Sequence, residues 1–169
     1  VYLYGLGEPL LDKRIFDLLT YCESLSLHTI LSTNATLLNA HRRERLLHSA
    51  CDHLLIGIDG TDAETYSHYR TGGQYEKVVE NVRALAREKL ERGSNITLVV
   101  QFIRMRENQH QAEEFERLWR AVPGIDEVRI KEEDIGLPEH RTYAVEGHLR
   151  QNPCHLLWRG PMVARYNGD

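Results

Sequence analysis

The amino-acid sequence predicts an α/β fold built on a parallel β-sheet, and two observations carry this prediction. Short apolar runs alternate with amphipathic, helix-like stretches along the chain, which is the pattern of a repeated βα unit. Several of the apolar runs also end in small polar clusters. The five runs that we interpret as strands are 1–4, 28–33, 52–59, 96–105 and 128–131. Since right-handed crossovers make these strands parallel, their polar ends should meet at one rim of the sheet.

The first run leads into a glycine turn that presents one carboxylate. Val1 to Tyr4 lacks the polar alternation of a half-exposed strand, so it predicts a strand covered on both faces. Gly5 and Gly7 remove side chains where a ligand would approach the backbone. Glu8 follows, and Pro9 favours an extended backbone for it. The alternative interpretation is a tight turn with a solvated glutamate.

Amphipathic stretches separate the strands. The stretch from Asp12 to Leu25 has apolar residues at helical spacing, with Cys22 as a core thiol on that stripe. A second helix is predicted from Asn39 to Ala50, with its arginines (Arg42, Arg43, Arg45) on a solvated face. Thr61 to Glu64 has the form of a capping box. The next helix follows Tyr75, and Gly93 is placed to cap its end.

Polar residues stand at or near the ends of the later strands. Ser32, Thr33 and Asn34 end the second strand, and Asp59 ends the third, which Gly57 interrupts. Gln101 is the polar residue in the middle of the fourth. Ser, Thr and Asn also serve in turns and helix entries, so chemistry and local structure both remain open for this cluster.

Composition limits the classes of function. The chain has 169 residues, 41% hydrophobic and 27% charged, with a net charge of −4, which gives no electrostatic case for binding nucleic acid or an anionic membrane. No apolar run reaches membrane-spanning length. Three dispersed cysteines argue against a disulfide framework and fit a reducing, cytoplasmic compartment. Both ends look cut, so we expect a piece of a longer protein.

The βα pattern fails after residue 132. Residues 133–153 mix charges with glycine and proline and are interpreted as a linker. Residues 154–169 begin with Cys154 and differ again in composition. The predicted organisation is therefore a core at 1–132, a linker at 133–153 and the start of a further region at 154–169.

Several motifs resemble those of radical S-adenosylmethionine (radical SAM) enzymes, in particular the subgroup with a C-terminal SPASM extension. The segment from Tyr4 to Leu11 resembles their Gly-Gly-Glu-Pro motif, and 32–35 resembles their Thr-Asn-Gly strand end. A further segment common in the SPASM subgroup is resembled by Ile58-Asp59-Gly60, followed by Arg70, Gly72-Gly73 and Tyr75. Residues 101–103 and 126–131 continue the likeness. Cys154 with Trp158 and 167–169 resembles the opening of a SPASM region.

The resemblance implies a partial parallel (β/α)₆ TIM-like barrel, here truncated at both ends. It implies an iron–sulfur oxidoreductase in which a 4Fe–4S cluster cleaves S-adenosylmethionine (SAM) reductively, giving methionine and a 5′-deoxyadenosyl radical that abstracts hydrogen from a substrate. Relatives often modify peptides or proteins. An electron donor such as a flavodoxin or ferredoxin would supply electrons to the cluster.

The same resemblance assigns cofactor-binding roles. Glu8 and the Gly7 carbonyl would hold the methionine amino group, which seeks close acceptors. Arg70 would pair with the methionine carboxylate through its guanidinium fork. Gly5, Ser32, Asn34 and Gln101 would line the pocket, which completes the predicted cofactor site. Cys154 would be the first ligand of an auxiliary cluster, and no catalytic residue is assigned.

Two departures from the family pattern matter. Gly57 stands where many relatives carry a serine, and the Cys-x₃-Cys-x₂-Cys cluster motif is absent, so it is expected upstream of Val1. Two alternatives therefore stay open. One is a βα domain that lost the cluster and binds a peptide or partner protein. The other is an unrelated metal-dependent barrel enzyme that uses Glu8 and Asp59 as oxygen ligands.

Overall fold

A computed structural model describes residues 1–5 and 7–132, and it confirms an α/β fold with a parallel sheet. Four strands pair in chain order, and every pairing is parallel. They are β1 (Ile30–Thr33), β2 (His53–Gly57), β3 (Thr97–Arg104) and β4 (Glu127–Glu132). The predicted alternation of strands and helices is therefore correct from the second predicted strand onward.

The first predicted strand is reduced to one isolated bridge beside β1. Tyr2 pairs with Ile30, whose N–H donates to the Val1 carbonyl at 2.8 Å and whose carbonyl accepts from Leu3 N–H at 2.9 Å. Val1, Tyr2 and Tyr4 are 48%, 59% and 38% exposed. The expectation of a strand covered on both faces is wrong for this segment, because only Leu3 packs against the core.

The described residues form five α-helices, each of which contributes side chains to the core against the sheet. They are α1 (Ile15–Ser24), α2 (Ala40–Leu47), α3 (Ala63–Tyr69), α4 (Tyr75–Arg92) and α5 (Ala112–Arg120). Short 3₁₀ turns, Pro9–Leu11 and Gln109–Gln111, precede α1 and α5. Cys22 is buried in α1 as predicted. Within the described residues, no helix is long and apolar enough to cross a membrane.

Alternation along the strands separates two faces of the sheet. The helix-facing positions are fully buried in the core, as for Leu54, Leu98 and Phe102. The opposite side chains form what we call the inner face of the sheet. Because successive side chains of a strand point to opposite faces, Gly57, Gln101 and Arg129 lie on the inner face. They also pair in register across β2, β3 and β4.

Two local predictions differ from the structure. The N-cap of α3 is Asp62, whose carboxylate accepts from Thr65 N–H at 2.8 Å, so the capping box at Thr61 is displaced by one residue. Arg43 is not on a solvated face: its side chain is 12% exposed and pairs with Glu88 on α4 at 2.8 Å. Gly93, in contrast, caps α4 at φ 64° as predicted.

The predicted linker, residues 133–153, and the region that begins with Cys154 lie outside the described residues.

Candidate functional site

The carboxylate of Glu8 is held at the carboxyl end of β1 by three hydrogen bonds. Its Oε1 accepts from Thr33 Oγ1 at 2.9 Å and from Leu10 N–H at 3.1 Å, and its Oε2 accepts from Asn34 N–H at 2.7 Å. A carboxylate offers about four lone-pair sites. One site on Oε2 is therefore left for a further donor, and Glu8 is only partly buried.

The end of β1 is shaped to hold that carboxylate. Thr33 is 3% exposed, and its hydroxyl oxygen also accepts from Ala35 N–H at 3.1 Å. Asn34 accepts from Thr36 N–H at its side-chain oxygen at 3.0 Å, a local turn that accompanies the donation of its own backbone N–H to Glu8. Ala35 adopts φ 60°, a left-handed conformation that glycine accepts more easily. Thr33 was not singled out from the sequence, although it lies inside the predicted polar cluster.

The glycine turn before Glu8 needs glycine at Gly7. Its φ is 107°, a conformation that other residues rarely adopt. A side chain at Gly5 would meet no heavy atom within 4 Å, so this turn leaves open space beside the backbone. Gly5, Gly7 and Glu8 therefore form one open segment at the end of the first chain segment.

Asp59, two residues after the end of β2, forms a partly buried ion pair with Arg70. Asp59 Oδ2 accepts from Arg70 Nη2 at 2.8 Å, and Oδ1 accepts from Ile103 N–H at 2.9 Å. The side chain of Asp59 is 4% exposed, and that of Arg70 is 35% exposed. Asn108 reinforces this corner by donating to the carbonyls of Asp59 and Ile103 at 3.0 and 2.9 Å. The ends of β2 and β3 are thus joined through Asp59.

Arg70 reaches this position because α3 is short and well capped. The helix begins after Asp62 and ends at Tyr69, so Arg70 is its C-cap. Its guanidinium then lies over Gly57, where a Cβ atom would come within 3.0 Å of Nη2. The absence of a side chain at Gly57 gives Arg70 the room to reach Asp59.

Ser32 and Gln101 lie on the inner face of the sheet, each partly exposed. Ser32 is next to Thr33 but points away from Glu8's anchor, as the strand alternation requires. Gln101 pairs in register with Gly57 and with Arg129. The structure therefore groups Glu8 with Thr33 and Asn34, groups Arg70 with Asp59, and leaves Ser32 and Gln101 in neither group, on the inner face of β1 and β3. Cys154 lies outside the described residues.

The donor set at the rim fits the methionine part of SAM. A vacant carboxylate lone pair at Glu8 suits an ammonium group, and a partly exposed guanidinium at Arg70 suits a carboxylate. The cluster is a different case. The described residues contain two cysteines, both buried, and no three His, Cys, Asp or Glu side chains among them are grouped to hold a metal ion.

Comparisons with known proteins give relatives that share part of this chain. An AdoMet-dependent heme synthase of Methanosarcina barkeri is 32% identical over 80 residues, which are 47% of this chain and 23% of the relative. A pre-heme d1 synthase of Dinoroseobacter shibae is 30% identical over 95 residues, 56% of this chain and 24% of the relative. The matched part of this chain thus spans about a quarter of each relative.

Solved structures share the fold. A structure of TYW1 with a lysine-pyruvate adduct bound superposes with a TM-score of 0.59 at 17% identity, covering 81% of this chain and 43% of that one. Streptococcus suis SuiB bound to S-adenosylmethionine gives a TM-score of 0.58 at 19% identity, covering 86% of this chain and 31% of that one. The Radical SAM superfamily itself matches residues 1–115, about two thirds of the chain. The chain therefore belongs to the Radical SAM superfamily.

Proposed function

We propose that this chain is part of a radical SAM enzyme and that it binds SAM at the carboxyl ends of β1 and β2. The observation that carries the proposal is the Glu8 carboxylate, which Thr33, Asn34 and Leu10 orient while one lone pair on Oε2 stays available. A solvated glutamate would not require three fixed donors, one of them a buried hydroxyl.

The roles of the other rim residues follow from their chemistry. Glu8 and the Gly7 carbonyl accept hydrogen bonds from the methionine ammonium group. Arg70 donates to the methionine carboxylate through the guanidinium N–H groups that Asp59 does not use. Gly5 keeps the approach open, and Ser32, Asn34 and Gln101 line the pocket. These side chains bind and orient the cofactor.

The ligands of the 4Fe–4S cluster belong outside the described residues in this proposal. We place the Cys-x₃-Cys-x₂-Cys motif before Val1, and Cys154 at the start of a SPASM-type auxiliary cluster region. Bound together, a reduced cluster and SAM supply the one-electron chemistry that removes a hydrogen atom from a substrate. In this proposal an electron donor such as a flavodoxin or ferredoxin would supply the electron, and the sheet would form part of a partial (β/α)₆ barrel.

The names of similar proteins indicate two classes of substrate. The relatives that align by sequence at 30–32% identity are named as heme synthases of two kinds. SuiB, for which a structure bound to the precursor peptide SuiA exists, shares the fold at 17% identity. We favour a small molecule of heme biosynthesis over a peptide or protein substrate because the first similarity extends to sequence.

The metal-dependent alternative receives no support from the site. Both oxygens of Asp59 are engaged, one by the Arg70 cation and one by Ile103 N–H. A divalent cation at Asp59 would lie against the Arg70 cation, whose like charge opposes it, and no three His, Cys, Asp or Glu side chains among the described residues are grouped to hold a metal ion.

The test is anaerobic formation of 5′-deoxyadenosine by the complete protein, with reconstituted iron and sulfide, SAM and dithionite. Wild-type protein should bind iron and form 5′-deoxyadenosine, and Glu8→Gln should form at least tenfold less at limiting SAM. The matched control is Glu113→Gln, since Glu113 is an exposed glutamate in the first turn of α5. Wild-type protein that binds no cluster and cleaves no SAM would instead support the alternative of a domain that binds a peptide or partner protein.

A further inference from the structure

The inner face of the sheet carries charged side chains on β4 that the cofactor assignments do not use. Glu127, Arg129 and Lys131 alternate with Val128 and Ile130, which pack against the core. Because the side chains of a strand alternate between faces, the three charged residues project from the inner face. This is also the face on which Gly57 and Gln101 lie.

Arg129 lies in the same row of the sheet as Gln101, one of the proposed cofactor-binding residues. Gly57 pairs with Gln101, and Gln101 pairs with Arg129. Neighbouring strands are about 4.8 Å apart, so the Cα atoms of Gly57 and Arg129 are about 10 Å apart. The Arg70 guanidinium lies over Gly57. Arg129 therefore stands one strand beyond Gln101, next to the proposed SAM pocket but outside it.

The guanidinium of Arg129 is already in a carboxylate-binding geometry. Its Nε and Nη2 donate to the two carboxylate oxygens of Glu127 at 2.9 and 3.1 Å. Both side chains are well exposed, at 40% and 47%. An exposed pair of this kind contributes little to stability, so a ligand carboxylate could replace that of Glu127 at little cost. With Lys131 the three groups carry one net positive charge, which matches a monoanion better than a dianion.

Two exposed aromatic rings lie on the same face of the sheet, because Tyr2 pairs in parallel with Ile30 on the inner face and Tyr4 follows two residues later. Tyr2 and Tyr4 form an edge-to-face pair with centroids 5.7 Å apart, and Leu3 between them points to the core. Burial raises the pKa of Tyr4, and Tyr2 adds to the effect, whereas the Arg129 cation lowers it. Arg129 projects from the same inner face, at the opposite edge of the sheet. The inner face thus combines an aromatic wall with a cation.

We propose that Arg129, assisted by Lys131, binds a carboxylate of the substrate, and that Tyr2 and Tyr4 contact the flat, unsaturated part of the same molecule. This inference rests on the proposed function, because the substrate of a SAM-dependent reaction must lie beside the SAM pocket. It goes further by assigning the substrate class: a carboxylate monoanion attached to an apolar, planar body.

A pair of matched probes tests this assignment on the complete protein. The probes are 4-fluorobenzoate and 4-fluorobenzamide, which differ in charge but hardly in shape, and binding is followed by ¹⁹F NMR. Wild-type protein should bind the benzoate more tightly than the benzamide. Arg129→Gln should weaken benzoate binding at least tenfold and leave benzamide binding unchanged, and Arg129→Lys should recover part of the loss. The control is Arg120→Gln, since Arg120 is a 65% exposed arginine paired with Glu116 on α5.

Three results would overturn the assignment of Arg129 as a carboxylate site. They are absence of benzoate binding by the wild-type protein, equal binding of the two probes, and undiminished benzoate binding by Arg129→Gln. Tighter binding of 4-fluorophenyl phosphate than of 4-fluorobenzoate would refute the choice of a monoanion. Formation of 5′-deoxyadenosine by the wild-type protein is measured separately. Its absence would refute the proposed function, while the probe comparison would still decide the carboxylate site.

Discussion

Replacing Asp59 by Asn should both destabilise the protein and weaken its affinity for SAM. The variant keeps the shape of the side chain and an oxygen for Ile103 N–H, but it removes the charge that Arg70 faces at 2.8 Å. Breaking a buried ion pair costs about 3–5 kcal/mol. Because the Arg70 side chain is 35% exposed and can recover hydration, we reduce this to about 1–2 kcal/mol.

The measurement is chemical denaturation of the complete protein together with calorimetric titration of SAM. We expect a lower free energy of unfolding by the amount given above, and a several-fold higher Kd because Arg70 is no longer held over Gly57. Asp17→Asn serves as the control, since Asp17 is an exposed aspartate in the first turn of α1. If Asp59→Asn matched this control in both stability and affinity, the role given to the ion pair would be wrong.

Three further outcomes are expected from local structure. Asp62→Ala should cost about 1 kcal/mol as a lost N-cap. Because the hydrogen bond from Thr65 N–H lowers the pKa of Asp62, this stabilisation is present above the ordinary carboxyl pKa of 3.8 and is lost as the pH falls through the lowered pKa. Acid denaturation of the wild type and the variant would show this loss. Burial raises the pKa of Cys51 to about 12. Its thiol should therefore react with iodoacetamide at pH 8 far more slowly in the native than in the urea-unfolded protein. Peptide mass spectrometry would report the two rates, and equal rates would contradict this prediction. Ala35→Gly should destabilise the protein less than Ala86→Gly by about 1 kcal/mol in thermal denaturation, because Ala35 has a strained φ of 60° whereas Ala86 lies within α4. Equal losses of stability would contradict the backbone strain at Ala35.

The sequence predicted the strands that hydrophobic patterning can reveal. The four strands of the sheet lie within the predicted runs or one residue beyond them, because buried parallel strands are nearly continuous in apolar residues. The same reasoning failed for the first segment, where Val1 to Tyr4 is apolar but only Leu3 packs against the core. An apolar composition indicates that the side chains of a segment tend to be buried, but tertiary structure decides which element packs against them.

Contacts between distant side chains were beyond prediction from spacing. The polar cluster 32–34 was correctly placed at a strand end, but the sequence did not indicate that Thr33, rather than Ser32, would face Glu8. Strand alternation distinguishes them only when the register is known. Arg43 was expected in solvent because its partner Glu88 lies 45 residues further along the chain, where residue spacing does not reveal a contact. Asp59 was recognised as a strand end, and its pairing with Arg70 emerged from the structure.

The most direct test of the account is the binding of SAM itself, without reductant, to the complete wild-type protein and to Glu8→Gln. The substitution keeps one oxygen for Thr33 and Leu10 to donate to and places an NH₂ group beside Asn34 N–H, and it removes the charge that an ammonium group requires. A charged hydrogen bond of this kind contributes about 1.5–3 kcal/mol, so titration calorimetry should show an affinity at least tenfold lower for Glu8→Gln. Equal affinities for the two proteins would contradict the claim that Glu8 at the end of β1 holds the methionine of SAM.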